Sequence, residues 1–161
     1  MRYVRRVLQP GETVVYDTKL HSVIYSRAIL LLVICLILAG AAIAAGNNQN
    51  LSLALEIAAA ILALLALSAA FRAFVRRATT ELAVTDHRVI YKTGLLARHT
   101  IEMNRDKVES VDVDQTLLGR LFGYGTITVR GTGGSLEPIR TIGDPLTFRS
   151  YITAGPPAAR S

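Results

Sequence analysis

The chain has 161 residues, 51% of them hydrophobic, and a formal net charge of +6; that length holds about one domain of ordinary size. The charge excludes a nucleic-acid module. Residues 79–161 carry ten basic and nine acidic side chains, and the surplus sits at Arg2, Arg5, Arg6, Lys19, Arg27, Arg72, Arg76 and Arg77, whereas a nucleic-acid protein carries its basic face on the folded domain. A single cysteine, Cys35, excludes an internal disulfide framework.

The N-terminal segment, residues 1–23, has a turn signal at Pro10-Gly11, and its stretch 12–20 contains Val14, Val15 and Tyr16. That pattern leaves open whether 12–20 adds a strand to a later sheet. Two apolar runs follow, Ile24–Ala45 and Leu51–Phe71. Each approaches the roughly 20 residues that a helix needs to cross a bilayer core of about 30 Å. The linker at 46–50, Gly-Asn-Asn-Gln-Asn, is too short for anything but a tight connection, so residues 24–71 read as an antiparallel two-helix hairpin. The first run exceeds the apolar region of a cleaved signal, about 7–15 residues. Both outer flanks are basic and the linker has no Lys or Arg, so the positive-inside rule places both termini in the cytoplasm. Glu56 is an ionisable residue inside the second run and is a functional candidate on that ground; its position near the outer end also suits a carboxylate reaching the headgroups. Ala58, Ala59, Ala60 and Ala63, facing Gly40, Ala41 and Ala44, would permit close helix packing.

After Arg77 the apolar period shortens to two. Strands are predicted over Thr80–Thr85, Arg88–Lys92, Arg98–Met103, Ser110–Gln115, Thr126–Arg130 and Leu136–Ile142, separated by turn residues such as Asp86-His87 and Thr93-Gly94. Short alternating runs of this kind make antiparallel sheets with one buried face. Leu117, Leu118, Leu121 and Phe122 share one face of a short helix. Gly143-Asp144-Pro145 starts a last helix, with Asp144 as N-cap and Pro145 at the first position. That helix reaches about Tyr151 and offers Leu146, Tyr151 and Ile152 to the sheet, and residues 153–161 form a Pro/Ala-rich disordered tail.

A hairpin followed by Thr80-Glu81-Leu82-Ala83-Val84-Thr85-Asp86-His87-Arg88-Val89-Ile90, then Lys92-Thr93-Gly94-Leu95-Leu96, resembles the bacterial pleckstrin-homology-like domain family of small membrane proteins. The resemblance continues through Val108–Gln115, Leu118-Gly119-Arg120, Gly123-Tyr124-Gly125-Thr126 and Val129–Gly134. It implies a membrane α-hairpin joined to a mainly-β domain over 79–152. That domain would have two packed antiparallel sheets of about seven short strands, capped by a C-terminal helix. It also implies a multi-pass protein of the bacterial cytoplasmic (inner) membrane, and it brings no catalytic motif.

The residues themselves offer no Ser/His/Asp or Cys/His arrangement. His21, His87 and His99 have no metal-ligand spacing, and no cofactor or metal is implied. Gly131-Thr132-Gly133-Gly134 lacks the Lys-Ser/Thr ending of a phosphate loop. The function expected is therefore binding or scaffolding at the membrane, through homo-oligomerisation or another membrane protein, with Leu117, Leu118, Leu121 and Phe122 as the contact surface. The alternative is contact with lipid headgroups through Arg72, Arg76, Arg77, Arg88, Lys92 and Arg98. A second alternative is an accessory role in transport through Glu56.

Overall fold

Alternation of apolar and polar residues after Arg77 produces the strands, and the long uncharged runs before it produce the helices. The structure is a computed structural model and describes residues 3–46, 48–95, 99–132, 134–135 and 138–154. It divides into two compact units: residues up to His21 together with those from Arg76 onward, and Ser22–Val75.

The first unit is built on two antiparallel sheets. One runs in the order β1 (Val14–Thr18), β2 (Glu81–Thr85), β3 (Arg88–Thr93), β4 (His99–Asn104). In the other, β6 (Tyr124–Gly131) pairs with β5 (Val108–Asp114), with the two-residue β7 (Gly134–Ser135) and with β8 (Ile139–Gly143). A bridge between Leu20 and Ile142 joins the sheets at one corner, reinforced by Gly143 N–H donating to the Lys19 carbonyl at 3.2 Å. Between the sheets lie Leu82, Val84, Val89, Val111, Ile127, Val129, Ile139 and Ile142, the inward members of each alternating run.

The last helix, α5 (Pro145–Ala154), closes this core with Phe148 and Ile152. Tyr16 of β1 stacks on Tyr151 at 4.7 Å and lies 6.2 Å from the Phe148 ring. Leu146, expected to cover the sheet, is exposed; the positions facing inward are 145, 148 and 152, which fit one helical face, and 146 falls outside it. Asp144 accepts from Phe148 N–H through its backbone carbonyl, and its φ of +49° is a left-handed corner rather than the extended geometry of an ordinary N-cap. Residues 153 and 154, assigned to a disordered tail, belong to α5; 155–161 lie outside the described residues.

The expectation of a single buried sheet face also needs correction. Ala83 and Ile90 point away from the main core yet are fully buried, because the short helix α1 (Val4–Val7) lays Val4 over them, with Val7, Leu8 and Val14 alongside. Glu81 holds α1 there: its carboxylate accepts from the backbone N–H of Tyr3 and Val4, each at 3.1 Å. Burial alone would raise its pKa, but the amides of Val4 and Tyr3 outweigh it and the carboxyl is held below its usual value.

The second unit contains α2 (Ser26–Ala44), preceded by a short 3-10 turn, and most of α3 (Gln49–Thr79). Both are long and apolar enough to cross a membrane. At 31 residues, α3 is about 46 Å long, and it continues past the expected end at Phe71 to include Arg72, Arg76 and Arg77. The helix seam keeps Ala59 of the expected one and otherwise differs from it. Ala28, Cys35 and Ala42 on α2 are buried with Ala59, Ala66, Ala69 and Ala73 on α3, while Gly40, Ala41, Ala44, Ala60 and Ala63 are exposed. Ala28, Cys35 and Ala42 recur every seven residues, as do Ala59, Ala66 and Ala73, the interval that keeps one face on a partner helix; a cluster of alanines in sequence does not reveal which member falls on that face. The Cys35 thiol donates to the Ala59 carbonyl at 3.2 Å, a contact that close backbones permit. Ala66→Leu is expected to wedge the helices apart and destabilise the hairpin by about 1–3 kcal/mol, read as a lower midpoint in SDS titration followed by circular dichroism.

Candidate functional site

Strand directions give the domain two chemically different ends. At one, the β2–β3 turn and the end of β4 surround a polar pocket of about 400 Å³ lined by Gln9, Asp86, His87, Arg88, Asn104 and Asp106. Beneath it lies a buried ion pair. Glu12, 7% exposed, accepts from Arg88 Nε at 2.9 Å and Nη2 at 2.8 Å. It also accepts from the Thr85 hydroxyl at 2.7 Å and Gln9 N–H at 2.8 Å. The same guanidinium donates to the Val7 carbonyl and to Glu102. Burial by itself would push the Glu12 carboxyl up. The Arg88 hydrogen bonds, the Gln9 amide, the Thr85 hydroxyl and the Arg88 charge outweigh it and hold the pKa at about 2. Arg88 is shifted up, first by its hydrogen bond to Glu12.

The other end carries α4 (Leu117–Phe122). Thr116 caps it by accepting from Gly119 N–H at 3.0 Å, and Gly123, at φ +72°, ends it in the left-handed conformation that glycine adopts without strain. Gly119 is the buried residue of the helix. A Cβ there would lie 2.6 Å from the Tyr124 carbonyl, so the bare backbone presses against β6 and every large side chain is left outside. Leu117 is 83% exposed, Leu118 60%, Leu121 75% and Phe122 59%. Gly119→Ala is expected to lift α4 from β6 at a cost of about 1–3 kcal/mol, measured by thermal unfolding in detergent.

Of the basic residues named from the sequence, Lys92 and Arg88 lie toward opposite ends of the domain. Arg72 and Arg76 are exposed on α3, and Arg77 is half-buried. Lys92 donates from Nζ to the Thr79 carbonyl at 3.1 Å and lies 6.0 Å from the Tyr3 ring centroid. Arg88 belongs to the opposite end, committed to Glu12, Glu102 and Val7. Arg98 lies outside the described residues. Glu56 is exposed on α3, two turns from its start. His87 and His99 are exposed, and His21 stacks on Tyr124 at 5.5 Å. Asp112 pairs with Arg130 across β5 and β6 at 3.0 Å. Sequence reading missed the Glu12–Arg88 pair entirely. Its members are 76 residues apart, and no local pattern marks a glutamate that a distant arginine will cover.

No curated protein and no solved structure matches the chain. The bacterial PH domain family model matches residues 17–155, a span that includes β1 from Asp17, the apolar helices, both sheets and α5. Two antiparallel sheets closed by a C-terminal helix are consistent with a PH-like fold, and the chain belongs to the bacterial PH domain family.

Proposed function

We propose that this chain crosses the bacterial cytoplasmic membrane twice and holds a PH-like binding module on the cytoplasmic face, with α4 as its contact surface. In this reading the segment before the hairpin and the residues after it form one cytoplasmic module, and the module acts by binding rather than by chemistry. The observation that carries it is the exposure of Leu117, Leu118, Leu121 and Phe122 on a helix whose own backbone is locked to β6. Apolar side chains clustered on a surface mark interaction sites, whereas isolated ones need no explanation.

Topology has separate support. β1 precedes the two apolar helices and β2 follows them, yet the strands pair from Val14 with Thr85 to Thr18 with Leu82. Pairing of that kind needs both outer ends of the hairpin on one side of the membrane, and the basic flanks favour the cytoplasmic side.

The test is thiol labelling in native membranes. With Cys35 replaced by alanine, Leu118→Cys is expected to react several-fold more slowly with a membrane-impermeant maleimide than Glu109→Cys, an exposed position near the start of β5. Both should react only from the cytoplasmic face. Equal rates would mean that nothing covers α4 and would overturn its role as the contact surface; labelling from the outer face would overturn the topology.

A further inference from the structure

The exposed large apolar side chains of the domain are segregated. Among its described residues they are Leu95, Leu117, Leu118, Leu121, Phe122 and Leu146, and strand register places them all at one end. On the first sheet, the pairing of Thr18 with Leu82 brings Leu20 and Thr80 to the same end of the β1–β2 ladder. The Thr80 and Thr93 hydroxyls lie 3.3 Å apart, so the turn carrying Leu95 leaves from there too. On the second sheet, His21 stacks on Tyr124, the residue after the cap of α4. Asp144 N–H donates to the Gly123 carbonyl at 2.9 Å, which places Leu146 beside α4. Asp86, His87, Asn104 and Asp106 occupy the far end.

This apolar end is also where the domain joins the membrane segments. His21 is followed directly by the first of them, and α3 runs to Thr79, two residues before β2. Two covalent connections, one following β1 and one leading into β2, leave from the end that bears the exposed leucines. A surface held there by such short links meets the bilayer at a far higher effective concentration than it meets any free partner. The chemistry is also that of an interfacial helix. α4 has four large apolar residues and one charge, Arg120, and basic side chains beside an apolar face favour anionic headgroups.

We propose that this end of the domain is seated on the lipid surface, with Leu117, Leu118, Leu121 and Phe122 entering the boundary between headgroups and acyl chains. The inference rests on the reading of α4 as the contact surface and names the bilayer as what covers it. The domain then has a third, non-covalent attachment to the membrane and a fixed face toward it, and the polar pocket points to the cytoplasm.

The test uses the full chain, one copy per nanodisc of mixed neutral and anionic lipid, with Cys35 replaced by alanine and an environment-sensitive fluorophore on Leu118→Cys. Blue-shifted emission is expected, with quenching by shallow doxyl-labelled lipid at least about threefold stronger than for the fluorophore on Glu109→Cys, as an interfacial depth requires. Water-like emission, quenched by iodide and not by doxyl lipid, would overturn seating on the bilayer. If Leu118→Cys were nonetheless protected in native membranes, the contact-surface reading would stand with a protein as the partner. If it were unprotected there as well, both readings would fall.

Discussion

Arg88→Ala is expected to lower the stability of the domain by about 3–5 kcal/mol, the usual cost of removing one partner from a buried ion pair. Glu12 would be left 7% exposed with only the Gln9 amide and the Thr85 hydroxyl to hold its charge. The damage also spreads beyond one carboxylate. Arg88 Nη2 is the donor to the Val7 carbonyl at 2.8 Å, and Glu12 lies two residues before β1, so the pair fastens both α1 and β1 to the β2–β3 hairpin. Arg88→Lys should recover only part of the loss, since an ammonium cannot make the two-pronged contact with Glu12 while also reaching Val7. Thermal unfolding of the full chain in detergent, followed by the near-ultraviolet circular dichroism of the tyrosines, reads the change.

The same pair predicts an acid dependence. The folded pKa of Glu12, about 2, lies below the ordinary value of 4.5. A depressed carboxyl contributes stability that is fully present above the unfolded pKa and is lost as pH falls through the folded one. Stability should therefore decline from about pH 5 toward pH 2, by an amount on the order of 3 kcal/mol from this group. Arg88→Ala should flatten that part of the profile. An unchanged slope in the variant would show that other carboxylates govern acid unfolding.

Phe148→Ala carries the other large effect, a loss of about 3–5 kcal/mol. Phe148 is fully buried and lies in the core cluster with residues of both sheets, so its removal opens a cavity where α5 meets them. Domains of this size are stable by only about 5–15 kcal/mol, and the variant should sit at the edge of folding. Leu118→Ala, by contrast, should leave the unfolding midpoint in detergent nearly unchanged, because Leu118 is 60% exposed. A marked fall for Leu118→Ala would mean that α4 supports the fold and would weaken its assignment as a contact surface.

The two long helices and most strands were legible because their signals are local, whereas β1 was left open and the two-residue β7 was not foreseen. Charge-free runs mark α2 and α3, and period-two alternation marks β2 to β6. The short α4 was readable from the spacing of Leu117, Leu118, Leu121 and Phe122, but their exposure was not: it follows from Gly119 meeting the Tyr124 carbonyl, a contact with the next strand. What failed to show in sequence depends on distant residues. The cover that α1 places on Ala83 and Ile90 is invisible when β2 and β3 are read alone. The heptad seam of Ala28, Cys35 and Ala42 was masked by a surplus of equally small neighbours. Arg88 was read by its charge as a headgroup ligand because its partner, Glu12, lies on the far side of the hairpin in sequence.

The placement of β1 also bears on biosynthesis. β1 leaves the ribosome before the apolar helices and its partner β2 only after them, so the first sheet stays incomplete until both helices have been synthesised. On the proposed topology, a chain with one helix misinserted would have β1 and β2 on opposite sides of the membrane. Arg88 would then lack Glu12, and Ala83 and Ile90 would lack their cover. Such a chain exposes an open strand edge and an unpaired buried charge, features that make incompletely folded species prone to aggregation. On that topology, completion of the first sheet would report that both helices had crossed the membrane.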